Sequence, residues 1–288
     1  MNLDKKVLAC VDQSPYADTV TDAAVWAAMR LGASLELLHV IDRELESSHS
    51  HDHSGTIGVN AQENLLTQLA DDEASIAVRQ REEGRSFLNR LRLRAQAAGM
   101  AEPDMRQRHG SLVETLTEQH EGVSMVVMGR RGESSTTTLR DLGRNVERVV
   151  RAMDRPILTV TDSFAPPLHV LIAFDGGAAA RNGVEMVASS PLFKGIPCDL
   201  MMVGKDGNRE ASKQLQAAQS TLTASGIETH CYQVTGDPES AIATAIKEQG
   251  IDFLIMGAYT HSPLRSLFMG SHTTDLLRAA KVPTLLMR

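Results

Sequence analysis

The chain has 288 residues, 42% of them hydrophobic and 23% charged, with a formal net charge of −7. This length and composition are typical of about two globular domains, each able to bury its own core. The acidic balance argues against a general nucleic-acid binder or a protein of anionic membranes, which are normally basic. The first residues lack a signal-peptide pattern, and no apolar run approaches the ~20 residues of a membrane span. We therefore expect a cytoplasmic protein with neither nucleic acid nor membrane as a partner.

Strand and helix patterns alternate from the start of the chain. Val7–Val11 is a short apolar run that ends at Asp12 and predicts a buried strand. Ser14 and Pro15 are typical of a helix start, and apolar spacing predicts a helix that ends at Gly32. The pattern continues with strands over Leu35–Ile41, Met105–His109, Ser124–Met128 and Pro156–Val160, and with helices over Ala61–Ala98, Leu112–Gln119 and Asn145–Met153.

The pattern restarts after a short proline-containing linker at 162–168. The apolar run that ends at Asp175 matches the run that ends at Asp12, at an offset of 163 residues. The chain is therefore an internal duplication, with domains predicted at 1–161 and 169–288. Later elements recur in the same order, with strands over Leu200–Val203, Thr229–Val234, Phe253–Met256 and Pro283–Met287, and helices over Glu210–Ala224, Glu239–Glu248 and Thr273–Ala280.

Each repeat predicts an α/β fold in which helices cover both faces of a parallel sheet, because its strands are apolar without polar alternation. Right-handed crossovers favour two tandem doubly wound five-stranded sheets with strand order 3-2-1-4-5. In such a sheet, ligands bind outside the carboxyl ends of the strands, where the strand order reverses. That position lies between Asp12 and Gly129 in the first repeat, and between Asp175 and Gly257 in the second.

A loop with glycines follows the fourth strand of each repeat and leads into a helix. Backbone N–H groups of a glycine turn at a helix N-terminus can hold a phosphate, although a glycine turn followed by an ordinary N-cap has the same appearance. Arg130, Arg131 and Arg144 lie in or beside the first loop, where they could pair with phosphate oxygens or remain solvated. The loop residues are Gly129, Gly132 and Gly143 in the first repeat, and Gly257, Thr260, Gly270 and Ser271 in the second.

The duplicated pattern resembles the universal stress protein family, in its tandem two-domain form, over essentially the whole chain. Nucleotide-binding members carry G-x2-G-x9-G-[ST] after the fourth strand and an acid at the end of the first. The first repeat departs from this motif in two ways. Ten residues instead of nine separate Gly132 from Gly143, and Arg144 replaces the hydroxyl residue. The second repeat keeps the spacing and the hydroxyl, but Thr260 replaces the second glycine. Binding in either half therefore stays open.

The resemblance implies an adenine nucleotide alpha hydrolase-like fold whose two repeats pack as a pseudo-dimer through their fifth strands. It also implies that ATP or AMP binds in the crevices, with Mg²⁺ accompanying ATP. Asp12 and Asp175 would accept hydrogen bonds from ribose hydroxyls, although either acid could instead cap the helix that follows. Val40 and Val203, at the end of the second strand, would pack against the adenine.

The sequence contains no motif of a fast enzyme. It lacks G-x4-GK-[ST], a G-x-G-x-x-G after the first strand, and a G-x-S-x-G elbow. We therefore expect a nucleotide-binding stress-response regulator with at most slow, incidental ATP hydrolysis. The alternative is a non-catalytic structural or interaction module with degenerate pockets. Protein partners, and whether two chains form a homodimer, stay open.

Histidine and cysteine usage predicts no dedicated metal site. His49, His51 and His53 are types of residue that bind zinc, but their alternate spacing in a polar stretch favours a solvated loop. His39 lies in an apolar strand and is expected to be a core histidine. The three cysteines form no CxxC pair, which fits a reducing compartment.

Overall fold

The structure is a computed structural model that describes residues 5–41, 59–131, 144–204, 209–258, 276–277 and 280–288, with backbone alone for 59–74 and 144. The strands are β1 (Lys6–Cys10), β2 (Ser34–Ile41), β3 (Asp104–His109), β4 (Val123–Gly129), β5 (Ile157–Val160), β6 (Val170–Ala173), β7 (Cys198–Val203), β8 (Cys231–Val234), β9 (Phe253–Gly257) and β10 (Thr284–Met287). The helices are α1 (Ala17–Leu31), α2 (Val59–Ala97), α3 (Leu112–Glu118), α4 (Arg144–Ala152), α5 (Ala178–Ser189), α6 (Arg209–Ala224) and α7 (Pro238–Glu248).

The ten strands in the described residues belong to one sheet with the order β3-β2-β1-β4-β5-β10-β9-β6-β7-β8. Each half is parallel and has the order 3-2-1-4-5, as predicted. The halves meet where β5 pairs antiparallel with β10, with Thr284 opposite Thr159 and Leu285 opposite Leu158. The α/β fold and the pseudo-dimer through the fifth strands are confirmed, whereas the domain limits at 161 and 169 stay predictions.

Apolar side chains fill both faces of the sheet. Val7 and Ala9 of β1 face a cluster that includes buried residues of α1 and α5, while Leu8 and Cys10 face the cluster that includes buried residues of α4 and α7. Successive side chains of a strand point to opposite faces, so a strand covered on both sides is apolar throughout. This explains why the strands show no polar alternation.

Helix α1 of the first repeat packs against the second repeat through an aromatic cluster. The ring of Trp26 lies 5.6 Å from that of Phe164, 6.5 Å from that of Phe193 and 5.9 Å from that of Phe253. Phe193 belongs to a 3₁₀ turn and Phe253 to β9, so the cluster crosses the repeat boundary. The repeats are therefore joined by side-chain packing as well as by strand pairing.

Two arginines also cross the boundary in a reciprocal arrangement. Arg130, which follows β4, donates to the backbone carbonyls of Ala280 and Val282, the latter at 2.9 Å. Arg288, which follows β10, donates to the carbonyls of Arg151 and Met153, the latter at 3.2 Å. Met153 and Ala280 occupy equivalent positions before the last strand of their repeats. Each repeat thus supplies a cation to backbone carbonyls that precede the last strand of the other.

Two local predictions need correction. Helix α1 begins at Ala17 with Tyr16 as its N-cap, not at Pro15. The hydroxyl oxygen of Ser14 accepts the N–H of Tyr16, and its carbonyl accepts the N–H of Ala17, so Ser14 forms a turn before the helix. Helix α5 is absent from the prediction, because its N-cap, Gly177, has no side chain to mark the helix start and Gly183 lies inside the helix.

Helix α2 confirms the long helix predicted over Ala61–Ala98. Its C-terminal part packs on the first repeat through Leu88, Leu91 and Ala95, which are all buried. Arg94 adds an ion pair to Asp22 of α1, with its Nε at 2.7 Å from a carboxylate oxygen. The packed part of α2 therefore covers α1, β2 and β3 at one end of the sheet.

We predict that Trp26→Ala lowers the free energy of unfolding by about 3 kcal/mol, because the indole packs among three phenylalanine rings across the repeat boundary. Met29→Ala, on an exposed part of the same helix, serves as the control and should cost less than about 0.5 kcal/mol. Urea unfolding followed by far-UV circular dichroism measures both. Equal stability of the two variants would contradict the role assigned to the aromatic cluster.

Candidate functional site

Pairing of β1 with β4 brings the two predicted site residues of the first repeat together. Cys10 lies opposite Met128, Asp12 follows β1, and Gly129 is the last residue of β4. Since adjacent strands are about 4.8 Å apart, the carboxylate and the glycine loop share one edge of the sheet. This is the crevice expected from the strand order.

The second repeat repeats this geometry. Ala173 of β6 lies opposite Met256 of β9, and the two strands lead into Asp175 and Gly257 respectively. The pair of an aspartate and a glycine is therefore present twice in the ten-stranded sheet, once at each place where the strand order reverses.

Close packing requires a glycine at the end of the fourth strand in the first repeat and favours one at the equivalent position in the second. A Cβ atom on Gly129 would lie 2.9 Å from the carbonyl oxygen of Arg131 and 2.9 Å from the Cβ of Tyr16. A Cβ atom on Gly257 would lie 3.1 Å from the Cβ of Ala179. Tyr16 and Ala179 occupy equivalent positions after the first strand. The glycine thus lets the segment after β1 or β6 approach the segment after β4 or β9.

The two strand-end aspartates hold turns. Asp12 accepts the backbone N–H of Ser14 at 3.2 Å, and Asp175 accepts that of Gly177 at 2.8 Å. In each case the bond uses the Oδ1 oxygen. Because an ionised carboxylate offers about four lone-pair positions, a turn and a ribose contact are compatible. Asp175 is exposed and Asp12 is half-buried.

The predicted adenine contacts lie at the carboxyl end of the second strand in each repeat. Val40 is half-buried and lies opposite Arg108 of β3, while Val203 is half-buried and lies opposite Val234 of β8. A cavity of about 460 Å³ borders Val234 in the second repeat. Its size is within the range of small-molecule sites. The cavity is lined by Met201, Val234, Thr235, Gly236, Asp237, Ser240, Ala241, Thr244, Ala245, Glu248 and Gln249.

The predicted phosphate half of each site lies outside the described residues. This applies to Gly132 and Gly143 in the first repeat and to Gly270 and Ser271 in the second. Their roles, and the effect of the substitution at Thr260, stay predictions. The side chains of Arg144 and of the three loop histidines are likewise outside the described part.

The guanidinium of Arg130 forms its hydrogen bonds with the second repeat and is not available to a phosphate. It is 8% exposed, and besides the two carbonyls it donates to the hydroxyl of Thr284 at 3.2 Å. Burial lowers the pKa of its guanidinium to about 10, so the group is still charged at neutral pH. The suggestion that Arg130 could bind phosphate is therefore wrong, because the carbonyl acceptors of the other repeat already hold it.

Other reactive side chains near the crevice of the first repeat are buried. Burial raises the pKa of the Cys10 thiol to about 12, with Asp12 and Glu36 adding to the shift, so the thiol is protonated at neutral pH. His39 is 5% exposed, and its Nδ1 lies 3.0 Å from the carbonyl oxygen of Val11. It is the core histidine that the sequence predicts.

The described residues show neither a metal-binding cluster nor a membrane-spanning helix. Across these residues, no group of three or more histidine, cysteine, aspartate or glutamate side chains is arranged to hold a metal ion. In the same part of the chain, no helix combines the length and the apolar character needed to cross a membrane.

The duplicated doubly wound sheet, with an acid after the first strand and a glycine ending the fourth in each half, is the architecture expected of a tandem universal stress protein. The sequence profile of the universal stress protein family matches residues 4–161 and 199–288. The chain therefore belongs to the universal stress protein family and is of the tandem type.

Similar proteins support this membership. Universal stress protein Slr1230 of Synechocystis sp. is 31% identical over 286 residues, which cover 99% of this chain and 100% of that protein. The crystal structure of a universal stress protein from Archaeoglobus fulgidus has a TM-score of 0.72 at 20% sequence identity. That likeness covers 100% of this chain and 99% of the other, and it shows that the two share a fold.

We predict that Arg130→Met lowers the free energy of unfolding by about 2–4 kcal/mol, because it leaves buried carbonyls of the other repeat without a donor. Arg131→Met is the matched control, since Arg131 is only half-buried, and should change stability by less than about 0.5 kcal/mol. Chemical denaturation of both variants measures the difference. Equal stabilities would show that the buried guanidinium does not join the repeats.

Proposed function

We propose that this protein is a cytoplasmic stress-response regulator that binds ATP or AMP in one or both crevices. The observation that carries the proposal is the double occurrence of one arrangement, an acid after the first strand beside a glycine that ends the fourth. The arrangement lies at the switch point where doubly wound sheets bind ligands. Family membership supports a role in the stress response.

The chemistry of the described residues suits a nucleoside. Asp12 and Asp175 supply acceptors for ribose hydroxyls, and Val40 and Val203 supply apolar surface for a base. The cavity that borders Val234 lies between β8 and α7, and none of Asp175, Val203 and Gly257 lines it. The phosphate would lie on the glycine loops, where Gly270 and Ser271 would offer backbone N–H groups and a hydroxyl. With ATP, Mg²⁺ would accompany the phosphates.

We infer regulation rather than rapid catalysis. The thiol nearest Asp12 is protonated at neutral pH, and the imidazole of His39 is buried against the carbonyl of Val11. The strand-end aspartates hold turns through one oxygen each. Nucleotide binding would then act by changing the conformation of the chain or its choice of protein partner, with at most slow hydrolysis of ATP.

A second candidate function is an interaction module with degenerate pockets. It is favoured by the fact that both hallmark residues have a structural use without any ligand. Gly129 relieves a close contact with the segment after β1, and Asp12 holds the turn there. In this alternative the duplicated geometry would serve folding, and the protein surface would recruit partners.

Isothermal titration calorimetry with ATP, ADP and AMP separates the two functions. We predict sub-millimolar binding of an adenine nucleotide, because the crevices supply both ribose acceptors and base contacts. Gly143→Glu should remove binding in the first repeat alone and Gly270→Glu in the second alone, since each crevice lies within one repeat. Ala224→Glu, on the exposed end of α6, is the control for added negative charge.

The absence of binding by the folded wild-type chain at sub-millimolar nucleotide would refute the proposal and favour the interaction module. Loss of all binding in both folded glycine variants would contradict the independence of the sites. The control variant should bind as the wild type does.

A further inference from the structure

A buried acid lies near the amino end of the second strand in each repeat. Glu36 of β2 is 3% exposed, and Asp199 of β7 is 1% exposed. Glu36 lies opposite Leu8 of β1, and Asp199 lies opposite the matching residue of β6, Leu171. The two acids are therefore equivalent. An ionised carboxylate that is shielded from water is costly unless a partner compensates its charge, so the partners decide how firmly each strand is held.

Lysine and arginine compensate the acid of the first repeat. The ammonium of Lys6 lies 2.9 Å from Oε2 of Glu36, and Nε of Arg106 lies 3.1 Å from Oε1. Side chains of these two types ordinarily keep their protons to beyond about pH 9. The charge that faces Glu36 is therefore the same in mild acid and in mild base.

Histidines take this place in the second repeat. His169 is the residue equivalent to Lys6, at the offset of 163 residues, and its buried Nε2 lies 3.1 Å from Oδ2 of Asp199. His230 directly precedes β8, where its Nδ1 lies 3.3 Å from Oδ1 and its backbone N–H donates to the same oxygen at 3.2 Å. In the part of the chain that the structure describes, neither a lysine nor an arginine pairs with Asp199.

The imidazoles are the groups around Asp199 that change charge near neutral pH. Tyr232 donates its hydroxyl to Oδ2 at 3.3 Å, and burial, followed by the charge of Asp199, raises the pKa of this phenol, so it stays neutral. Burial and then Asp199 also raise the pKa of the Cys198 thiol, and they raise that of Cys231 to about 11. Both thiols are therefore protonated. An imidazole, by contrast, ordinarily gains its proton at about pH 6.5.

Charged groups on the neighbouring elements keep a constant charge over the same range. Asp199 faces the side of the sheet that α7 covers. Helix α7 ends with Lys247 and Glu248, whose exposed side chains are screened by solvent. On the β9 side, the carboxylate of Asp252 accepts the backbone N–H of His169 at 3.0 Å. The charge on the imidazoles therefore decides whether the buried carboxylate faces a cation.

We propose that Asp199, His169 and His230 form a pH-responsive clamp, which holds the amino end of β7 to β6 and β8 in mild acid and loosens above neutral pH. An imidazolium paired with the carboxylate stabilises the folded repeat, so this stabilisation is complete in mild acid and is lost as the pH rises. The first repeat lacks the response because its partners are a lysine and an arginine. Asp199 and Val203 lie at opposite ends of β7, so the inference does not depend on nucleotide binding.

Hydrogen–deuterium exchange of the full-length chain, measured by mass spectrometry at about pH 6 and about pH 8, tests the clamp in each repeat separately. After correction for the intrinsic exchange rate at each pH, protection of the β7 and β8 amides should fall at least about threefold from the lower pH to the higher. Protection of the β1 and β2 amides should change by less than about 1.5-fold, because the charges around Glu36 stay constant. The first repeat is thus an internal control.

Exchanging the partners of the two acids assigns the response to the clamp. His169→Lys combined with His230→Gln should protect β7 and β8 equally at both pH values, because a permanent cation then faces Asp199. Lys6→His should introduce a loss of protection in β1 and β2 as the pH rises. His120→Gln, which removes an exposed histidine of the first repeat, is the matched control and should behave as the wild type does. Circular dichroism confirms that each variant is folded.

A loss of protection that is equal in the two repeats of the wild type, or absent from both, would overturn the clamp. A loss in β7 and β8 that persists in the folded double variant would also overturn it. If the double variant does not fold, Asp199→Asn provides the same test, since it removes the charge with little change in shape and should abolish the loss. A loss confined to the second repeat and removed by these substitutions would establish the clamp.

Discussion

Parallel pairing of the first and fourth strands is the constraint on which each crevice depends. It fixes the end of one strand at about 4.8 Å from the end of the next, so the residues that follow must turn within a narrow space. The aspartates meet this constraint by holding the first turn, and the glycines by omitting a side chain where the two segments touch. The aspartates and glycines that border each crevice therefore also allow the two strand ends to pack closely.

Antiparallel pairing of β5 with β10 makes one sheet from the two repeats, and side chains on both faces reinforce it. Trp26 packs into the second repeat, while Arg130 and Arg288 donate to backbone carbonyls on opposite sides of the boundary. Arg130 directly follows Gly129, so the loop of the first crevice begins at a residue that is anchored in the other repeat. The crevices are separate sites, yet the structure that supports the first one extends into both repeats.

The sequence was sufficient for the fold because apolar runs, glycine stops and a duplicated order all indicate the same topology. It was insufficient for side chains whose environment depends on register and on the other repeat. Arg130 and Arg131 are consecutive and chemically identical, but only the first is buried among carbonyls. Arg108 could not be placed beside Val40 before the β2–β3 register was known. Helix α5 gives a weak signal in the sequence because its N-cap is Gly177, which has no side chain to cap the helix, and because Gly183 lies inside the helix.

The most direct test of the account is a crystal structure of the full chain grown with saturating ATP. We predict electron density for an adenine nucleotide in at least one crevice, with its ribose at Asp12 or Asp175 and its base beside Val40 or Val203. Phosphate density would lie against the loop that begins at Gly129 or Gly257. Two well-ordered crevices that hold only water under these conditions would contradict the account.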